Sequence, residues 1–419
     1  AIALMLGALI IVIISFSYAY MIPKYPRAGG EFTFARVFFG RNAAYVCGWF
    51  LIAGYLSIVP LNATWLGIIF DGLFGPVLKF GFHYNVAGFD IYAGEMFIAM
   101  FTLLLFGELC IMSVQTAGRL QTFLSLMLAF SVIILTVAAI FSPYVSANNL
   151  YPLWGFDRAT GIPSSDISGS ILSTLVIAPW IFVGFDTVPQ AAEELNFPHK
   201  KVKFIMITAI LFGCFVYVAN NTLAAIVFEN WPELIAENKY TWLLLNASER
   251  LLGLPGEILV GIAVLSAVLT GIMGFYMASS RLIYSMSQDG YLPEFLGRVD
   301  PVHRTPKNAI IFCMVLSLSG PVLGREALSW FGDMASVGVS VGFGFTCAST
   351  FILAIREKRI TTAFTGLLGA VFSCMFLFLQ LVPVPGLEGV HLGREAYIML
   401  AVWLVLGVIF FWYQRPAEK

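Results

Sequence analysis

One apolar stretch near the middle of the chain, residues 169–194, carries the residue types most able to do chemistry in an apolar setting. It contains an acid, Asp186, with Gly184 two residues before it and Pro189 three residues after it. Pro189 cannot donate a backbone hydrogen bond to the carbonyl four residues earlier, and Gly184 removes the side-chain constraint on the backbone. This spacing predicts a break in a helix at 184–186.

Such a break has a chemical consequence. Backbone amides and carbonyls that are freed in an apolar environment need partners, so they must line a cavity. The amide end of the following half-helix favours a carboxylate, and carbonyls such as that of Phe185 favour an ammonium group. A central Asp costs about 2.5–3.5 kcal/mol even on lenient insertion scales, so Asp186 should face protein or water. The segment therefore suits a small zwitterion; the alternative is a proline kink satisfied by neighbouring helices.

The composition indicates that the surrounding elements lie in a membrane. Of the 419 residues, 59% are hydrophobic and 11% are charged, whereas soluble proteins carry roughly 25% charged residues. A helix that crosses a hydrocarbon layer needs about 20 apolar residues. The apolar runs are continuous rather than alternating, which excludes a transmembrane β-barrel. Eleven spans are predicted, at 2–22, 43–69, 91–114, 121–141, 169–194, 204–227, 256–286, 308–323, 330–355, 363–382 and 396–413.

Basic residues divide unequally between the two sides that these spans define. Side one has 17 of the 23 Lys and Arg residues, and side two has only Lys79, Arg158, Lys239, Arg250, Arg325 and Arg394. Because basic loops stay in the cytoplasm, we expect side one and the C-terminus to be cytoplasmic. A chain that enters its first span from outside also predicts a preceding helix, for twelve spans in all. The net charge of −1 gives no reason to expect a nucleic-acid partner.

Three motifs follow one another along the chain. The first is YPRAGGEFTF at 25–34, continuing to Gly48-Trp49; the second is the broken span, with GFD at 184–186 and AEE at 192–194; the third runs from SRLIY at 280–284 through DGYLP to RTP at 304–306. In order and spacing they resemble the second-to-third, sixth and eighth-to-ninth helix regions of the amino acid/polyamine/organocation (APC) transporter superfamily. The resemblance covers nearly the whole chain, without the first helix of that superfamily.

The resemblance implies both a fold and a function. The fold would be an all-α membrane protein with two inverted five-helix repeats and two extra helices, of which this chain holds the second to twelfth helices in a single transporter domain. Residues 1–141 would be the remainder of the first repeat, 169–355 the second repeat and 363–413 the appended helices. The function would be secondary active transport of amino acids across the plasma membrane, by alternating access around the break at 184–186.

The resemblance also implies a substrate site. Unwound backbone binds the charged groups of the substrate in this superfamily, and an aromatic residue just before the break closes over it. Residues on the flanking helices complete the site, although a membrane-helix aromatic or serine has packing as its alternative role. The substrate-binding candidates are Trp180, Val183, Gly184, Phe185, Asp186, Tyr55, Phe275 and Ser336.

The coupling ion stays open between H⁺ and Na⁺. Some members of the superfamily have a lysine in the fifth helix that replaces a sodium ion, but the matching span 121–141 has no charged residue. Asp186 and Glu108 are the candidates for proton coupling. Glu108 lies about two turns from side one, so its alternative role is to reach the membrane interface.

Two rival functions remain. The same fold would serve a permease for polyamines, ethanolamine or another organic cation, and the substrate's carboxylate would distinguish them. A membrane receptor or enzymatic subunit finds little support, because the four histidines are far apart and no Ser-His-Asp or phosphate-loop pattern occurs. The sequence thus predicts no cofactor and no metal, and its six cysteines, all in apolar runs, are expected to be buried hydrophobic residues.

Overall fold

The structure is a computed structural model that describes residues 1–151, 167–194, 201–236, 242–385, 387 and 390–413. Most of these residues are helical, because a backbone within lipid can satisfy its amides and carbonyls inside a helix. The first helices are α1 (Ile2–Met21), α2 (Gly30–Phe74), α3 (Ala93–Met112) and α4 (Val114–Ile140). They are followed by α5 (Ile167–Val176), α6 (Ala178–Ile181), α7 (Val202–Ile226), α8 (Trp231–Ala236), α9 (Leu243–Leu252), α10 (Leu254–Gln288), α11 (Lys307–Ser317), α12 (Gly320–Leu323), α13 (Ala327–Arg356), α14 (Ile360–Leu381) and α15 (Arg394–Tyr413).

A single antiparallel hairpin interrupts the described helices. Its strands are β1 (His83–Val86) and β2 (Phe89–Tyr92), with His83 opposite Tyr92. Within the described residues, 3₁₀ segments occur at Ala147–Leu150, Phe185–Glu194 and Glu294–Gly297. Only the second of them lies within a predicted span.

Every predicted span corresponds to helical structure. Nine helices of the described residues are long and apolar enough to cross a membrane. The other two spans are the interrupted segment 167–194 and the shorter α11–α12 pair. In the apolar 18-residue stretches of α4 and α7, only 17% of each stretch is buried. Such exposed apolar surfaces require lipid rather than water around them. The chain is therefore an all-α membrane protein.

The structure corrects the bounds of three spans. The span predicted to begin at 43 is part of α2, which starts at Gly30 and bends at Gly40, where φ is +82°. The span predicted at 308–323 is two helices, separated by two residues. The span predicted from 91 begins with two strand residues before α3.

The cysteines fit the prediction in part. All six lie in the described residues and are free thiols. Four are buried, Cys214 is half-buried and Cys374 is exposed. The exposed thiol corrects the expectation that all six would be buried: α14 turns this face away from the helices it packs against, so an apolar run can present Cys374 to lipid.

Charged residues that were assigned to one side of the membrane meet there. Lys24, between α1 and α2, pairs with Glu357 at the end of α13, and Arg36 pairs with Asp289. Hydrogen bonds from Lys24 and Tyr20 lower the pKa of the Glu357 carboxyl below its ordinary value. Both basic residues belong to side one, so the division of basic residues is consistent with the folded helices.

Helix α2 lies at the centre of the fold, packed along both α10 and α13. Two glycines let it approach α13 closely. A side chain on Gly338 would meet the Phe50 carbonyl and the Gly54 backbone. Small residues at helix contacts allow such close approach in membranes, where packing rather than hydrophobic burial holds helices together. The contact fixes α2 against α13, and α2 carries Tyr55, which the sequence placed beside the substrate site.

We expect Gly338→Ala to destabilise the protein by about 1–3 kcal/mol, since an added methyl group would have to push backbone atoms apart. Thermal unfolding in detergent, followed by size exclusion, would measure the change. Gly344→Ala is the matched control on the same helix, because its nearest neighbour, the Ser373 side chain, would be at an ordinary 3.7 Å. Equal stability of the two variants would contradict the close contact.

Candidate functional site

The predicted break in the middle of the chain is present. Helix α6 ends at Ile181, the next residues form a turn, and Gly184 has a φ of +127°. The chain then continues as 3₁₀ turns over Phe185–Glu194, with Pro189 inside them and a kink at Ala191, where φ is −103° and ψ is +18°. Runs of 3₁₀ helix longer than about four residues are uncommon and often mark a functional hinge. The prediction of a break at 184–186 is thereby confirmed.

The backbone groups freed at this break have partners from nearby side chains. The Gly184 amide donates to Asp186 Oδ1 at 2.7 Å, and the Thr187 hydroxyl donates to the Gly184 carbonyl at 2.6 Å. The Asp186 carbonyl accepts from the Tyr55 hydroxyl at 3.1 Å. On the other side of the break, Tyr217 donates to the Ile181 carbonyl at 2.8 Å. The non-helical backbone is thus stabilised by polar side chains of the same segment and of α2 and α7.

A large cavity lies against this break, with a volume of about 840 Å³. Its lining is mostly apolar and aromatic, with a few neutral polar side chains. At the break it is bounded by Trp180, Val183 and Gly184, and its side-two end includes Trp242 and Arg325. A concave apolar site with a few polar groups has the character of a small-molecule site. None of the polar lining residues at the side of the cavity was predicted from the sequence; they are Asn62, Gln121, Ser125, Thr187, Tyr217, Asn221 and Thr270.

Comparison with known proteins identifies the chain. The sequence profile of one protein family, described as amino acid permease, matches residues 1–411. The chain belongs to the amino acid permease family. The match spans almost all of the helices described above, so the permease is a multi-pass membrane protein.

Several curated relatives carry permease or importer names. The branched-chain amino acid permease BcaP of Bacillus subtilis (strain 168) is 24% identical over 441 residues, which cover 100% of this chain and 86% of that protein. The gamma-aminobutyric acid permease of Escherichia coli (strain K12) is 26% identical, over 74% of this chain and 62% of that protein. The low-affinity putrescine importer PlaP of the same organism is 23% identical, over 94% of this chain and 81% of its own length.

The structure brings four of the eight predicted substrate-binding residues to the cavity wall. They are Trp180, Val183, Gly184 and Phe275. The Trp180 indole is half-buried and faces Gly332 of α13, where an added methyl group would lie 3.6 Å from the ring. The position predicted from the superfamily therefore places an aromatic ring between the break and the neighbouring helix.

The other four predicted residues lie behind the wall. Tyr55 is fully buried and contacts Phe275, with 5.8 Å between ring centroids. Phe185 packs against Tyr18 and Phe343 on the side away from the cavity. The last two, Asp186 and Ser336, are buried as well, and Ser336 accepts a hydrogen bond from Gln380 of α14 at 2.8 Å. Tyr55, Phe185 and Asp186 are thus placed to support the wall. Ser336 belongs to a separate contact between α13 and α14.

The permease also contains a buried acid that sequence reasoning did not select. Glu31, in the first turn of α2, is fully buried and accepts hydrogen bonds from Tyr18 at 2.9 Å, Tyr55 at 3.2 Å and Gln190 at 2.6 Å. Tyr55 also approaches Asp186 Oδ2 at 3.0 Å. One phenol therefore links the two carboxyl groups. In the sequence, Glu31 is an acid at the start of a long apolar helix. Acids are ordinary at that position, so nothing in the sequence was a reason to select it.

Glu108, the other coupling candidate, lies elsewhere. It is on an exposed face of α3, and its carboxyl group forms no hydrogen bond or ion pair within the part of the chain that the structure describes. Its position agrees with the alternative weighed from the sequence, in which it reaches the membrane interface.

Proposed function

We propose that the permease is a secondary active transporter of neutral amino acids, preferring apolar side chains, and that the cavity at the break is its substrate site. Trp180, Val183, Gly184 and Phe275 would contact substrate directly, with Tyr55, Phe185 and Asp186 behind them. Ser336 would act through the packing of α13. The cell membrane is the proposed location, and alternating access around 184–186 the proposed mechanism.

The composition of the cavity wall carries this proposal. None of the described lining residues is Asp, Glu or Lys, and the single charged one, Arg325, lies at the side-two end. A polyamine or another organic cation would leave its positive charges unpaired in such a site, which is costly in an apolar environment. A zwitterion instead needs a few dipoles for its two charged groups and an apolar surface for its side chain. The name of the relative BcaP favours the same class of substrate.

Two inverted repeats would provide the machinery for alternating access, with residues 1–141 in the first, 169–355 in the second and 363–413 appended. The two longest helices support this division. Helix α2 has 45 residues and α10 has 35, and each would be the third helix of its repeat. They pack against each other at the centre of the fold, where two halves related by a membrane-plane axis would meet.

Orientation can be tested with single cysteines in a background lacking the native ones. We expect Arg359→Cys to react with an impermeant maleimide only from the cytoplasm and Val77→Cys only from outside, because basic loops are retained inside. Both positions are exposed. Labelling of Arg359→Cys in intact cells would reverse the proposed orientation and move the C-terminus outside.

Uptake by the reconstituted full-length protein tests the function itself. Proteoliposomes should accumulate radiolabelled leucine or valine under an imposed ion gradient, and excess unlabelled substrate should compete. Labelled γ-aminobutyrate and putrescine provide the comparison. Uptake of putrescine without uptake of any neutral amino acid would replace this proposal with the organic-cation alternative.

A further inference from the structure

The buried pair Glu31 and Asp186 has fewer hydrogens than its contacts require. The single Tyr55 hydroxyl lies 3.2 Å from Glu31 Oε1, 3.0 Å from Asp186 Oδ2 and 3.1 Å from the Asp186 carbonyl. A phenol has one hydrogen to donate, whereas an ionised carboxylate only accepts. If both acids were ionised, at least one carboxylate oxygen would face the phenol oxygen with no hydrogen between them. One added proton on either acid supplies the missing donor.

A second observation points to the same ligand. The Gln190 side chain is fully buried and its amide nitrogen donates to Glu31 Oε2, but its amide oxygen has no partner among the described residues. Rotating the amide by half a turn would present that oxygen to Glu31. A protonated Glu31 would then donate to Gln190, while an ionised Glu31 accepts from it as now. The surroundings can therefore hold the proton on either acid of the pair.

The charges near the pair make a full double ionisation unfavourable. Within the described residues neither acid pairs with Lys, Arg or His. The titratable groups that face it are phenols and thiols, which cannot carry a positive charge: Tyr18 on α1, Tyr55 and Cys47 on α2, and, next to Tyr18, Cys347 on α13. The amino end of α2 favours one negative charge on Glu31. A second buried charge has no such partner, and two close carboxylates in a dry site hold one proton between them.

We propose that Glu31 and Asp186 together bind one transported proton, bridged by Tyr55, while side one of the permease is closed. The site ties three elements together near side one: Tyr18 of α1, Glu31 and Tyr55 of α2, and the 3₁₀ segment with Asp186 and Gln190. Loss of the proton leaves two repelling carboxylates, which drives the 3₁₀ segment away from α1 and α2. The proton leaves to side one, and side one closes again before the pair takes up its next proton from side two.

This inference rests on the proposed function, because it names the ion that would drive uptake. Each turnover would bind one proton to a carboxylate oxygen from side two and release it on side one with the substrate. The pair changes from two negative charges to one and back, and no other reactant is needed. Sodium would be the competing ion, since carboxylates and amide oxygens also suit it.

Infrared spectroscopy of the purified full-length protein tests the proton directly, without any transport. Ordinary carboxyls, with pKa values near 4, are ionised at neutral pH. Glu31→Gln removes one acid, so the remaining acid no longer has a like charge beside it and should ionise. We expect the carboxylic-acid carbonyl band at neutral pH to lose the intensity of one group. Asp186→Asn should lose the same band, and it replaces Glu31→Gln if that variant is not monodisperse on size exclusion.

The matched control is Glu357→Gln, which neutralises a half-exposed acid on side one that pairs with Lys24. It should leave the neutral-pH band unchanged. If the wild-type protein has no such band, or if Glu31→Gln and Asp186→Asn both keep it, the shared proton is refuted whatever the transport assays give. A band that disappears in both variants supports the site even if no amino acid is transported, in which case the proposed function alone fails.

Transport then tests whether the bound proton drives uptake. An inward gradient of about two pH units can support up to ~100-fold accumulation per proton, and we expect wild-type proteoliposomes and Glu357→Gln to use it. Glu31→Gln should accumulate at least about tenfold less substrate than the wild type. Its remaining uptake should no longer change with external pH. Accumulation driven by a sodium gradient and indifferent to protons would overturn the proposal, as would normal proton-driven accumulation in Glu31→Gln.

Discussion

Replacing Gly184 by alanine is expected to slow substrate uptake by about tenfold to a hundredfold, because its backbone conformation is strained for every other residue by about 1–3 kcal/mol. Gly184 has a φ of +127°, and no atom lies within 4 Å of the position that a β-carbon would take. The substitution therefore changes the backbone preference without filling space. It would favour a continuous helix over the break, and the fraction of protein able to bind substrate would fall accordingly.

Gly253→Ala is the matched control for this prediction. Gly253 also has a positive φ, +66°, and open space around its β-carbon position, but it lies between α9 and α10, outside the cavity wall. Gly253→Ala should lower the folding stability by a similar amount and leave the rate of substrate uptake close to that of the wild type. Initial rates of labelled uptake, normalised to the amount of protein in the membrane, give the comparison. If the two variants transport equally well, the break is not needed in this conformation.

Truncating Trp180 to alanine is expected to raise the KM for substrate by roughly 30-fold, since an aromatic side chain that contacts the ligand commonly accounts for about 2 kcal/mol. The indole lies on the cavity wall one turn before the break and packs against α13. Removing it opens the wall between the substrate and that helix. Trp180→Phe keeps a flat apolar surface, so its KM should stay within about threefold of the wild type.

Trp412→Ala controls for the loss of any large aromatic, because Trp412 is 63% exposed on α15. The KM of Trp412→Ala should match that of the wild type. The folding stability of Trp180→Ala should lie within about 1 kcal/mol of the wild type. The measurement is the concentration dependence of uptake together with a melting curve for each variant. A Trp180→Ala protein with normal KM but much lower stability would assign Trp180 to packing alone.

Local chemistry made the break predictable from the sequence. Gly184 and Pro189 act on the backbone within their own segment, so the outcome did not depend on distant parts of the chain. The apolar runs were equally local, and for this reason the spans match the observed helices apart from their ends and the division of 308–323 into two helices. The ends differ where a turn or a hairpin competes with the helix, as at Gly40 and before α3.

The rotational position of a side chain about its helix was harder to predict. Phe185 adjoins Gly184 in sequence, yet it points away from the cavity toward Tyr18 and Phe343. Its direction follows from the turn and the 3₁₀ geometry, neither of which has a regular sequence period. Ser336 lies on a helix that flanks the site, but it faces α14. Placement on the correct helix was therefore possible, while placement on the correct face required the packed structure.

The pairing of Glu31 with the broken segment was beyond sequence reasoning for a different reason. Gln190 contacts Glu31 across 159 positions of the chain, and no local pattern relates two such distant residues. Glu31 also occupies a helix start, where an exposed acid is ordinary. Its burial follows only when α1, α2 and α13 close around it.

The unusual helix type of the Phe185–Glu194 segment implies a screw-like motion. A 3₁₀ helix rises about 2.0 Å and turns about 120° per residue, against about 1.5 Å and 100° in an α-helix. Rewinding the six residues Phe185–Gln190, which precede a kink at Ala191, into an α-helix would shorten this part of the segment by about 3 Å. It would also rotate Gln190 by about 100° relative to Phe185. A change of winding alone, with every neighbouring helix held still, would thus turn the Gln190 amide away from Glu31.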